Sequence, residues 1–216
     1  MDDLIKNFEK NGYVIVPGEK ALINKIRTYI FEIIKKEKKL STKNNIDYTF
    51  NNFHNFVKPK NINDLRFKIY NKINKGDLFS NLYYQVTKKY LDEIIGNELA
   101  MQKKINLSIQ LPKDKDSLLD LHSDIYAGES PFQVVVWIPL VNAYESKSMF
   151  FTKPKFNKKM NSQLLNSDKF TTKKMYNKNK NKFSFLNVKY GNILIFSPLI
   201  LHGNTINKTK ETRFSF

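Results

Sequence analysis

Apolar residues in the first hundred positions recur at the spacing of amphipathic helices. The repeats are Leu22, Ile26, Ile30 and Ile33; Leu65, Ile69 and Ile73; and Leu82, Val86, Tyr90 and Ile94. Residues three and four apart share one face of an α-helix, so each repeat predicts a helix with one buried side. Ser80 is the predicted N-cap of the third helix, and Gly76 and Gly96 occupy positions typical of helix ends. The segment NGYVIVPG predicts one strand before the first helix.

After residue 100 the pattern changes to short runs of β-branched and aromatic residues. The runs are INLSIQL, FQVVVWIPL, SMFF, FSFLNV, NILIFSP and TRFSF, separated by turn-forming stretches such as PKDKD, AGESP and YGN. Several short strands in series are typical of a sandwich or barrel. The pattern therefore predicts one mainly β domain over residues 1–216, in which a β-barrel core (100–216) is flanked by the N-terminal strand and helices (1–99).

One segment, 153–182, fits neither pattern. Its sequence, KPKFNKKMNSQLLNSDKFTTKKMYNKNKNK, is rich in lysine and asparagine and poor in apolar residues that pack. We interpret it as a mobile surface insertion. Because it interrupts the β region, a lid over a pocket is the alternative interpretation.

Composition narrows the class of protein. With 216 residues and 41% hydrophobic residues, the chain is long enough for a sizeable core, and the absence of cysteine excludes disulfides and thiolate metal sites. No run reaches the roughly 20 apolar residues of a membrane helix. The first twenty residues lack the basic start and unbroken apolar core of a secretory signal. We expect a soluble, cytoplasmic protein without a membrane span.

The formal charge of +17 raises the possibility of a nucleic-acid partner, because clustered cations bind phosphates. Only Arg27, Arg66 and Arg213 are arginines, and the lysines are accompanied by many asparagines and isoleucines. That bias is typical of an A/T-rich genome, and the sequence lacks a basic stripe with interleaved aromatic residues. We interpret the charge as a solvated surface and expect no nucleic-acid partner, with a non-catalytic basic binding protein as the alternative.

The segment LHSDIY contains two candidate metal ligands one residue apart. Side chains alternate along a strand, so His122 and Asp124 are expected to face one way, with Ser123 turned aside. His202, 80 residues after His122 (202 − 122), follows the strand NILIFSP, and adjacent strands would bring the two histidines together. Two imidazoles and one carboxylate form the facial triad of non-haem iron(II), which leaves three positions open.

Arg213 is a candidate for binding a cosubstrate of such a triad. It stands in TRFSF, 11 residues after His202 (213 − 202). The open positions accept a chelating 2-oxo acid and dioxygen, and a guanidinium offers two-pronged hydrogen bonding to the far carboxylate of that acid. Ser215, two residues on and on the same strand face, is placed to donate one more hydrogen bond.

Each of these residues also has an ordinary interpretation. A lone histidine is usually structural and a lone arginine usually a surface cation, but the joint order and spacing favour the iron site over a metal-free barrel with histidines in its mouth. His54 has no partner at ligand spacing, so we expect it to be structural or exposed. Trp137 is expected in the core, with an apolar pocket wall as the lesser possibility.

At these residues the chain resembles the iron(II)/2-oxoglutarate-dependent oxygenases, and within them the phytanoyl-CoA-dioxygenase-like group. FEKNGYVIVPG is similar to the opening strand of that group, and VVVWIPLVNAYESKSMFF to its tryptophan-proline strand and following turn. LHSDIYAGESPFQVVVWIPLVNAYESKSMFF, together with YGNILIFSPLILHGNTINKTKETRFSF, is similar to the oxygenases found sporadically in bacterial surface-carbohydrate gene clusters. The resemblance covers most of residues 100–216.

The resemblance implies a double-stranded β-helix, that is a cupin-like jelly-roll barrel, with the site inside it. It implies that His122, Asp124 and His202 bind Fe(II) and that Arg213 holds the side carboxylate of 2-oxoglutarate. Gln110 and Ser148 become further candidate 2-oxoglutarate contacts, and a role as sheet-surface polar residues is the alternative for both.

The resemblance also implies a reaction. 2-Oxoglutarate and O2 would be consumed to succinate and carbon dioxide while a small-molecule or glycan substrate of carbohydrate type is hydroxylated, as in surface polysaccharide biosynthesis. Because Asp124 completes the triad, hydroxylation or a related oxidation is favoured over halogenation. The alternatives are a metal-independent, cupin-like sugar epimerase or isomerase, and an inactive scaffold. The sequence leaves the oligomeric state open.

The chain departs from its relatives at its end. It stops at Phe216, three residues past the arginine, whereas relatives of this kind continue. We therefore expect a truncated C-terminus whose last strand lacks its continuation.

Overall fold

The computed structural model describes residues 2–41, 45–165 and 171–216. The helices are α1 (Asp2–Asn11), α2 (Lys20–Lys38), α3 (Ile46–Asn51), α4 (Ile62–Ile73), α5 (Leu78–Ile94), α6 (Pro154–Leu165) and α7 (Thr172–Lys178). The strands are β1 (Tyr13–Pro17), β2 (Ser108–Gln110), β3 (Val135–Trp137), β4 (Phe150–Thr152), β5 (Phe183–Phe185), β6 (Asn192–Phe196), β7 (His202–Gly203) and β8 (Arg213–Ser215). No helix in these ranges is both long and apolar enough to cross a membrane.

The three predicted N-terminal helices are present as α2, α4 and α5, and α1 and α3 are additional. Gly76 and Gly96 follow the ends of α4 and α5 with φ of 79° and 90°, a backbone conformation that favours glycine. The N-cap prediction for Ser80 is wrong, because α5 begins at Leu78. The Ser80 hydroxyl lies in the first turn and donates to the carbonyl of Asp77 at 3.0 Å.

The predicted strands are found, but each is only two to five residues long. They pair antiparallel in three small sheets, with strand orders β1-β6-β3, β2-β8 and β5-β4-β7. The expectation of a mainly β chain is therefore corrected: more of the described residues lie in helices than in strands, and the sheets do not join into one continuous barrel. Loops and 3-10 turns interrupt the ladders before longer strands form.

Short backbone contacts link these sheets. Ile138 and Phe216 exchange two hydrogen bonds of 3.0 Å, and Leu140 donates to Phe214 at 2.9 Å, so the chain after β3 runs beside β8. His122 and His202 form an antiparallel bridge that adds residue 122 to the edge of β7. The result is two layers: one holds β2, β8, 135–140, β6 and β1, and the other holds residue 122, β7, β4 and β5.

Strand alternation sorts the apolar side chains into separate clusters. On β6, Ile193 and Ile195 pack with the N-terminal helices, whereas Leu194 and Phe196 pack with residues from both layers. Trp137 belongs to this second cluster and is 7% exposed, so its expected place in the core is confirmed. The helices therefore cover one side of the first layer, and the other side faces the candidate site.

The expectation that 153–182 lacks apolar residues that pack is wrong for the residues that the structure describes. They form α6 and α7, and Met160 and Met175 are each 1% exposed in a cluster with Phe150 and Leu201. A few apolar side chains at helical spacing are enough to build a buried stripe in a lysine-rich sequence. Residues 166–170 lie outside the described ranges.

Replacing Phe50 by alanine is expected to lower the free energy of unfolding by about 3–5 kcal/mol, because it empties a large buried volume. Phe50 is fully buried and stacks on Phe214 with ring centroids 4.6 Å apart. Urea denaturation measures the effect, and Phe132→Ala is the control because Phe132 is 92% exposed. A loss below about 1 kcal/mol for Phe50→Ala would show that α3 does not pack on β8 as described.

Candidate metal centre

Two histidines face each other at the edge of the second layer. His122 and His202 exchange backbone hydrogen bonds of 2.9 and 2.8 Å, and their ring centroids are 4.4 Å apart. The Nδ1 atoms lie 2.7 and 2.9 Å from the carbonyl oxygens of Asp120 and Ile200. A carbonyl only accepts, so Nδ1 carries the proton of each neutral ring and Nε2 presents a lone pair.

The carboxylate of Asp124 completes the arrangement. Its Oδ1 lies 3.5 Å from Nε2 of His122 and 3.7 Å from Nε2 of His202, and one ligand atom from each residue lies within 4.8 Å of the others. The predicted strand through LHSDIY is reduced to the single bridge at His122, because Asp124 begins a 3-10 helix. The turn of the chain, and not strand alternation, brings the carboxylate to the histidines.

The neighbouring serine holds this turn in place. Ser123 is fully buried, and its hydroxyl donates to the carbonyl of Pro198 at 2.6 Å. The backbone N–H of Asp124 donates to the same carbonyl at 3.1 Å. Ser123 therefore points away from the candidate ligands, as expected, and ties their turn to the loop before His202.

The two imidazoles have different protonation behaviour. Burial, assisted by the charge of the adjacent His122, lowers the pKa of His202 to about 4. The hydrogen bond to Asp124 raises the pKa of His122 above its usual value, against the opposing effect of burial. At neutral pH His202 is therefore a neutral ring that can bind a metal through Nε2. At His122 a metal cation would compete with the proton that Asp124 favours.

The donor set fits a divalent cation. The side chains of His122 and Asp124 are 31% and 20% exposed, which leaves one side of the cluster accessible, while His202 is almost enclosed at 6%. Phe151 and Phe196 pack against the His202 ring. The second oxygen of Asp124, Oδ2, is buried without a hydrogen-bond partner, which a cation would compensate. Two nitrogen donors and one carboxylate are the ligand types of a non-haem iron(II) triad.

Arg213 is a buried cation without a carboxylate partner among the described residues. It lies on β8 opposite Gln110, is 2% exposed, and donates from Nη2 to the hydroxyl of Ser108 at 3.2 Å. Its Nε and Nη1 atoms have no partner. Burial lowers its pKa to about 10, and the charge of Arg66 acts in the same direction. An unpaired buried charge is costly, so this position favours an anion.

Polar atoms without partners accompany that guanidinium. They belong to the remaining residues predicted to bind a cosubstrate: Gln110 Oε1, Ser148 Oγ and Ser215 Oγ. Gln110, Ser148 and Ser215 are all fully buried. Ser215 pairs with Ser108 across the β2-β8 ladder, so Arg213 and Ser215 share a strand face with Gln110 and Ser108 on the partner strand. Ser108 is a polar neighbour that the sequence analysis did not single out.

A partly buried ion pair lies close in sequence to members of this group, and the sequence did not indicate it. Lys147 is fully buried and donates to Glu211 at 2.7 Å and to the side chain of Asn51 at 3.0 Å. Burial lowers the pKa of Lys147, although Glu211 opposes the effect. The pair joins the residue before Ser148 to the residue two positions before Arg213. A lysine in a chain with so many lysines gave no signal of this role.

Replacing Glu211 by glutamine is expected to lower the free energy of unfolding by about 1–2 kcal/mol, since it leaves the Lys147 ammonium buried without its anion. The effect is smaller than the roughly 3–5 kcal/mol of a fully buried pair, because the Glu211 side chain is 38% exposed. Urea denaturation at pH 7 measures it. The exposed Glu145→Gln is the matched control, and equal stability of both variants would exclude a role for the ion pair.

His54 lies apart from the metal ligands. Its Nδ1 is 3.2 Å from the hydroxyl of Thr212, and its backbone N–H donates to the same hydroxyl. Burial lowers its pKa. The expected structural role of His54 agrees with this contact between the 3-10 turn after α3 and the loop before β8.

A cavity of about 630 Å³ adjoins the segments that carry the candidate ligands. Its lining includes Tyr126 from the Asp124 turn, Leu199 and Ile200 from the loop before His202, and Asn157 and Asn161 from α6. Lys10 from α1 and Lys158 from α6 add positive charge, and Glu9 from α1 adds one negative charge. The lining therefore offers hydrogen-bonding groups and charged groups close in sequence to two of the candidate ligands, Asp124 and His202.

Comparison with solved structures shows likeness of fold. EvdMO1 covers 99% of this chain with a TM-score of 0.62 and 15% identity. AviO1 from Streptomyces viridochromogenes Tue57 covers 99% of this chain with a TM-score of 0.61 and 13% identity. HygX from Streptomyces hygroscopicus, solved with nickel and 2-oxoglutarate bound, covers 100% of this chain with a TM-score of 0.53 and 10% identity. The chain spans 48% of EvdMO1, 91% of AviO1 and 86% of HygX.

No curated protein matched the sequence in a direct comparison. The family model described as phytanoyl-CoA dioxygenase (PhyH) matches residues 8–215. That match includes every candidate metal ligand and every candidate cosubstrate residue. The chain therefore belongs to the phytanoyl-CoA dioxygenase family.

Proposed function

We propose that this protein is an iron(II)- and 2-oxoglutarate-dependent oxygenase. The observation that carries the proposal is the meeting of His122, Asp124 and His202, whose ligand atoms lie within 4.8 Å of one another. Membership of the phytanoyl-CoA dioxygenase family supports the same chemistry. When bound, iron(II) supplies the oxidative decarboxylation of 2-oxoglutarate by dioxygen, which yields succinate and carbon dioxide and delivers one oxygen atom to the substrate.

In this proposal the three ligands hold the metal through two Nε2 atoms and one carboxylate oxygen. The backbone carbonyls of Asp120 and Ile200 keep the two rings in the tautomer that leaves Nε2 free. The complete carboxylate ligand favours hydroxylation or a related oxidation over halogenation. Phe151 and Phe196 exclude water from the buried side of His202.

Arg213 is proposed to bind the side carboxylate of 2-oxoglutarate through Nε and Nη1, the two atoms without partners. A carboxylate would accept two parallel hydrogen bonds there and neutralise a buried charge. Ser215, Gln110 and Ser148 are proposed to contribute further hydrogen bonds, since each has a buried polar atom without a partner. The cosubstrate would then occupy the side of β8 that faces away from the helices.

We infer that the two layers are the two sheets of a double-stranded β-helix. The first layer holds chain segments in the order 108–110, 213–216, 135–140 and 192–196, and the second holds 122, 202–203, 150–152 and 183–185. Along the chain the segments alternate between layers except at β4 and β5, which are consecutive and pair within the second layer, and this arrangement is that of a jelly roll of eight strands. The likeness to solved oxygenase structures supports this inference.

The substrate is proposed to be of carbohydrate type and to enter from the cavity beside the Asp124 turn. Tyr126, Asn161 and Ser197 line that cavity and are suited to the hydroxyl groups of a sugar. Lys10 and Lys158 are suited to the phosphate of a sugar nucleotide or a lipid-linked glycan. A role in surface polysaccharide biosynthesis rests on the sequence resemblance.

Anaerobic titration with Fe(II) and 2-oxoglutarate tests the proposal. We expect the weak visible charge-transfer absorption of the metal chelate, which requires both components, and succinate formation once dioxygen is admitted. A folded protein that gives neither signal would overturn the iron site. Activity on sugar substrates that survives a chelator would favour the metal-independent epimerase or isomerase instead.

A further inference from the structure

Helix α6 lies against both chain segments that carry the candidate ligands. Resting on the metal site proposed above, we propose that Asn157 and Asn161 of α6 are positioning residues that set the separation of His202 and Asp124. The two asparagines are four residues apart and therefore share one helix face. This face belongs to the lysine-rich segment 153–182, which the sequence predicts to be a surface insertion, with a lid over a pocket as the alternative.

The two side-chain amides bind the loop before His202 from one side. Asn157 donates to the carbonyl of Leu199 at 3.0 Å and accepts from the N–H of Leu201 at 2.9 Å. Asn161 donates to the carbonyl of Leu199 at 3.1 Å and accepts from the hydroxyl of Tyr126 at 2.6 Å. One helix face thus contacts the residue before His202 and the residue two positions after Asp124.

The same loop is held from its other sides by the sheet and by the Asp124 turn. Thr152 of β4 donates twice to the carbonyl of Leu201, at 2.9 Å from both its N–H and its hydroxyl. The carbonyl of Pro198 accepts from Ser123 and from Asp124. With these contacts made, the amides of α6 complete the hydrogen bonding of residues 198–201.

Apolar packing under α6 acts on the two histidines as well. Leu121 and Leu201 immediately precede His122 and His202, and in extended chain their side chains point to the opposite face. Both leucines are buried in one cluster with Met160 of α6. The helix therefore covers the back of both histidine positions, and its asparagines fix their register relative to Asp124.

The test is an anaerobic titration with Co(II), a spectroscopic substitute for iron(II), of the wild type and of Asn157→Ala and Asn161→Ala. We expect each variant to bind Co(II) about 10- to 100-fold more weakly, as is typical when groups that orient metal ligands are removed. We also expect an altered visible spectrum of bound Co(II), which reports ligand geometry and which a purely stabilising role would leave unchanged. Asn179→Ala is the matched control, because its side chain donates to the carbonyl of Met175 within α7.

The outcomes separate this inference from the proposed function. A wild type that binds no Co(II) would refute the metal site itself, whereas unchanged affinity and spectrum in both asparagine variants would overturn only the positioning role. If Asn157→Ala does not fold, Asn161→Ala and Tyr126→Phe decide, since each removes a contact of the partly exposed Asn161–Tyr126 pair. We expect both variants to bind Co(II) more weakly, and the double variant to lose less binding free energy than the sum of the two single losses. Wild-type affinity for Co(II) in both single variants would overturn the inference.

Discussion

Replacing Asp124 by alanine is expected to lower the affinity for Fe(II) or Ni(II) by at least about 100-fold, because it removes the only anionic ligand of the proposed centre. The metal-free protein should keep its fold, since Oδ2 of Asp124 is buried without a partner and its loss removes an unsatisfied group. Metal should therefore stop stabilising the variant. In the wild type, metal at 100 times its dissociation constant adds about 2.7 kcal/mol.

Thermal unfolding with and without Ni(II) measures both parts of this prediction. The control is Glu129→Ala, which removes an exposed carboxylate five residues away. A metal-dependent rise in the unfolding temperature that is equal in the wild type and in Asp124→Ala would place the metal elsewhere. A variant that unfolds without metal would show that the carboxylate has a structural role, and His122→Ala would then test the centre.

Replacing Arg213 by glutamine is expected to raise the concentration of 2-oxoglutarate needed for half-maximal turnover by about 30- to 5,000-fold. This range corresponds to the roughly 2–5 kcal/mol lost when one partner of a buried charge pair is removed. The concentration that Arg213→Lys needs should lie between those of Arg213→Gln and the wild type, since lysine keeps the charge but not the two-pronged hydrogen bonding. Binding of the metal alone should not change, because Arg213 is not a ligand of the proposed centre.

The free energy of unfolding of Arg213→Gln tests independently whether Arg213 is a buried charge without a partner. The folded-state pKa of Arg213 is lowered to about 10, below its usual value, so the folded protein binds this proton less tightly than the unfolded chain. The charge therefore costs stability at neutral pH, and the free energy of unfolding rises as pH increases above about 10. We expect the variant without 2-oxoglutarate to be as stable as the wild type or more stable.

The exposed Lys210→Gln is the control for the Arg213 experiment, because it removes a cation three residues away. If both variants lose 2-oxoglutarate affinity equally, the general positive charge and not the guanidinium is responsible. If Arg213→Gln keeps wild-type affinity for 2-oxoglutarate while the iron site remains intact, the assignment of Arg213 is wrong.

The types of most elements could be predicted from periodicity, because burial of one face imposes a repeat on the sequence. Helices α2, α4 and α5 follow from this rule, and the predicted strands follow from runs of β-branched and aromatic residues. The rule failed for α6, whose buried stripe has only a few apolar residues among lysines and asparagines. The sequence pattern also overestimated the strand content. The runs that contain β2 and β3 are seven and nine residues long, but only three residues of each form the strand.

The candidate metal ligands could be predicted from residue type and order, but the reason given for their meeting was only half right. The expected pairing of neighbouring segments does bring His122 to His202. Asp124, however, reaches them through a 3-10 turn that Ser123 and Pro198 hold. A local turn of this kind depends on a hydrogen bond across 75 residues of sequence, which no local pattern reveals.

The sequence by itself determined which residue types are available for the proposed chemistry, because two histidines, an aspartate and an arginine in this order are properties of the sequence. It also determined which faces of the helices and strands are buried, through the spacing of apolar positions. Only the tertiary structure decided that Lys147 is a buried ion-pair partner, that Arg213 has no carboxylate beside it among residues 2–41, 45–165 and 171–216, and that α6 contacts the loop before His202. These properties depend on what lies across space from a side chain, and contacts between residues distant in the chain leave no periodic signal in it.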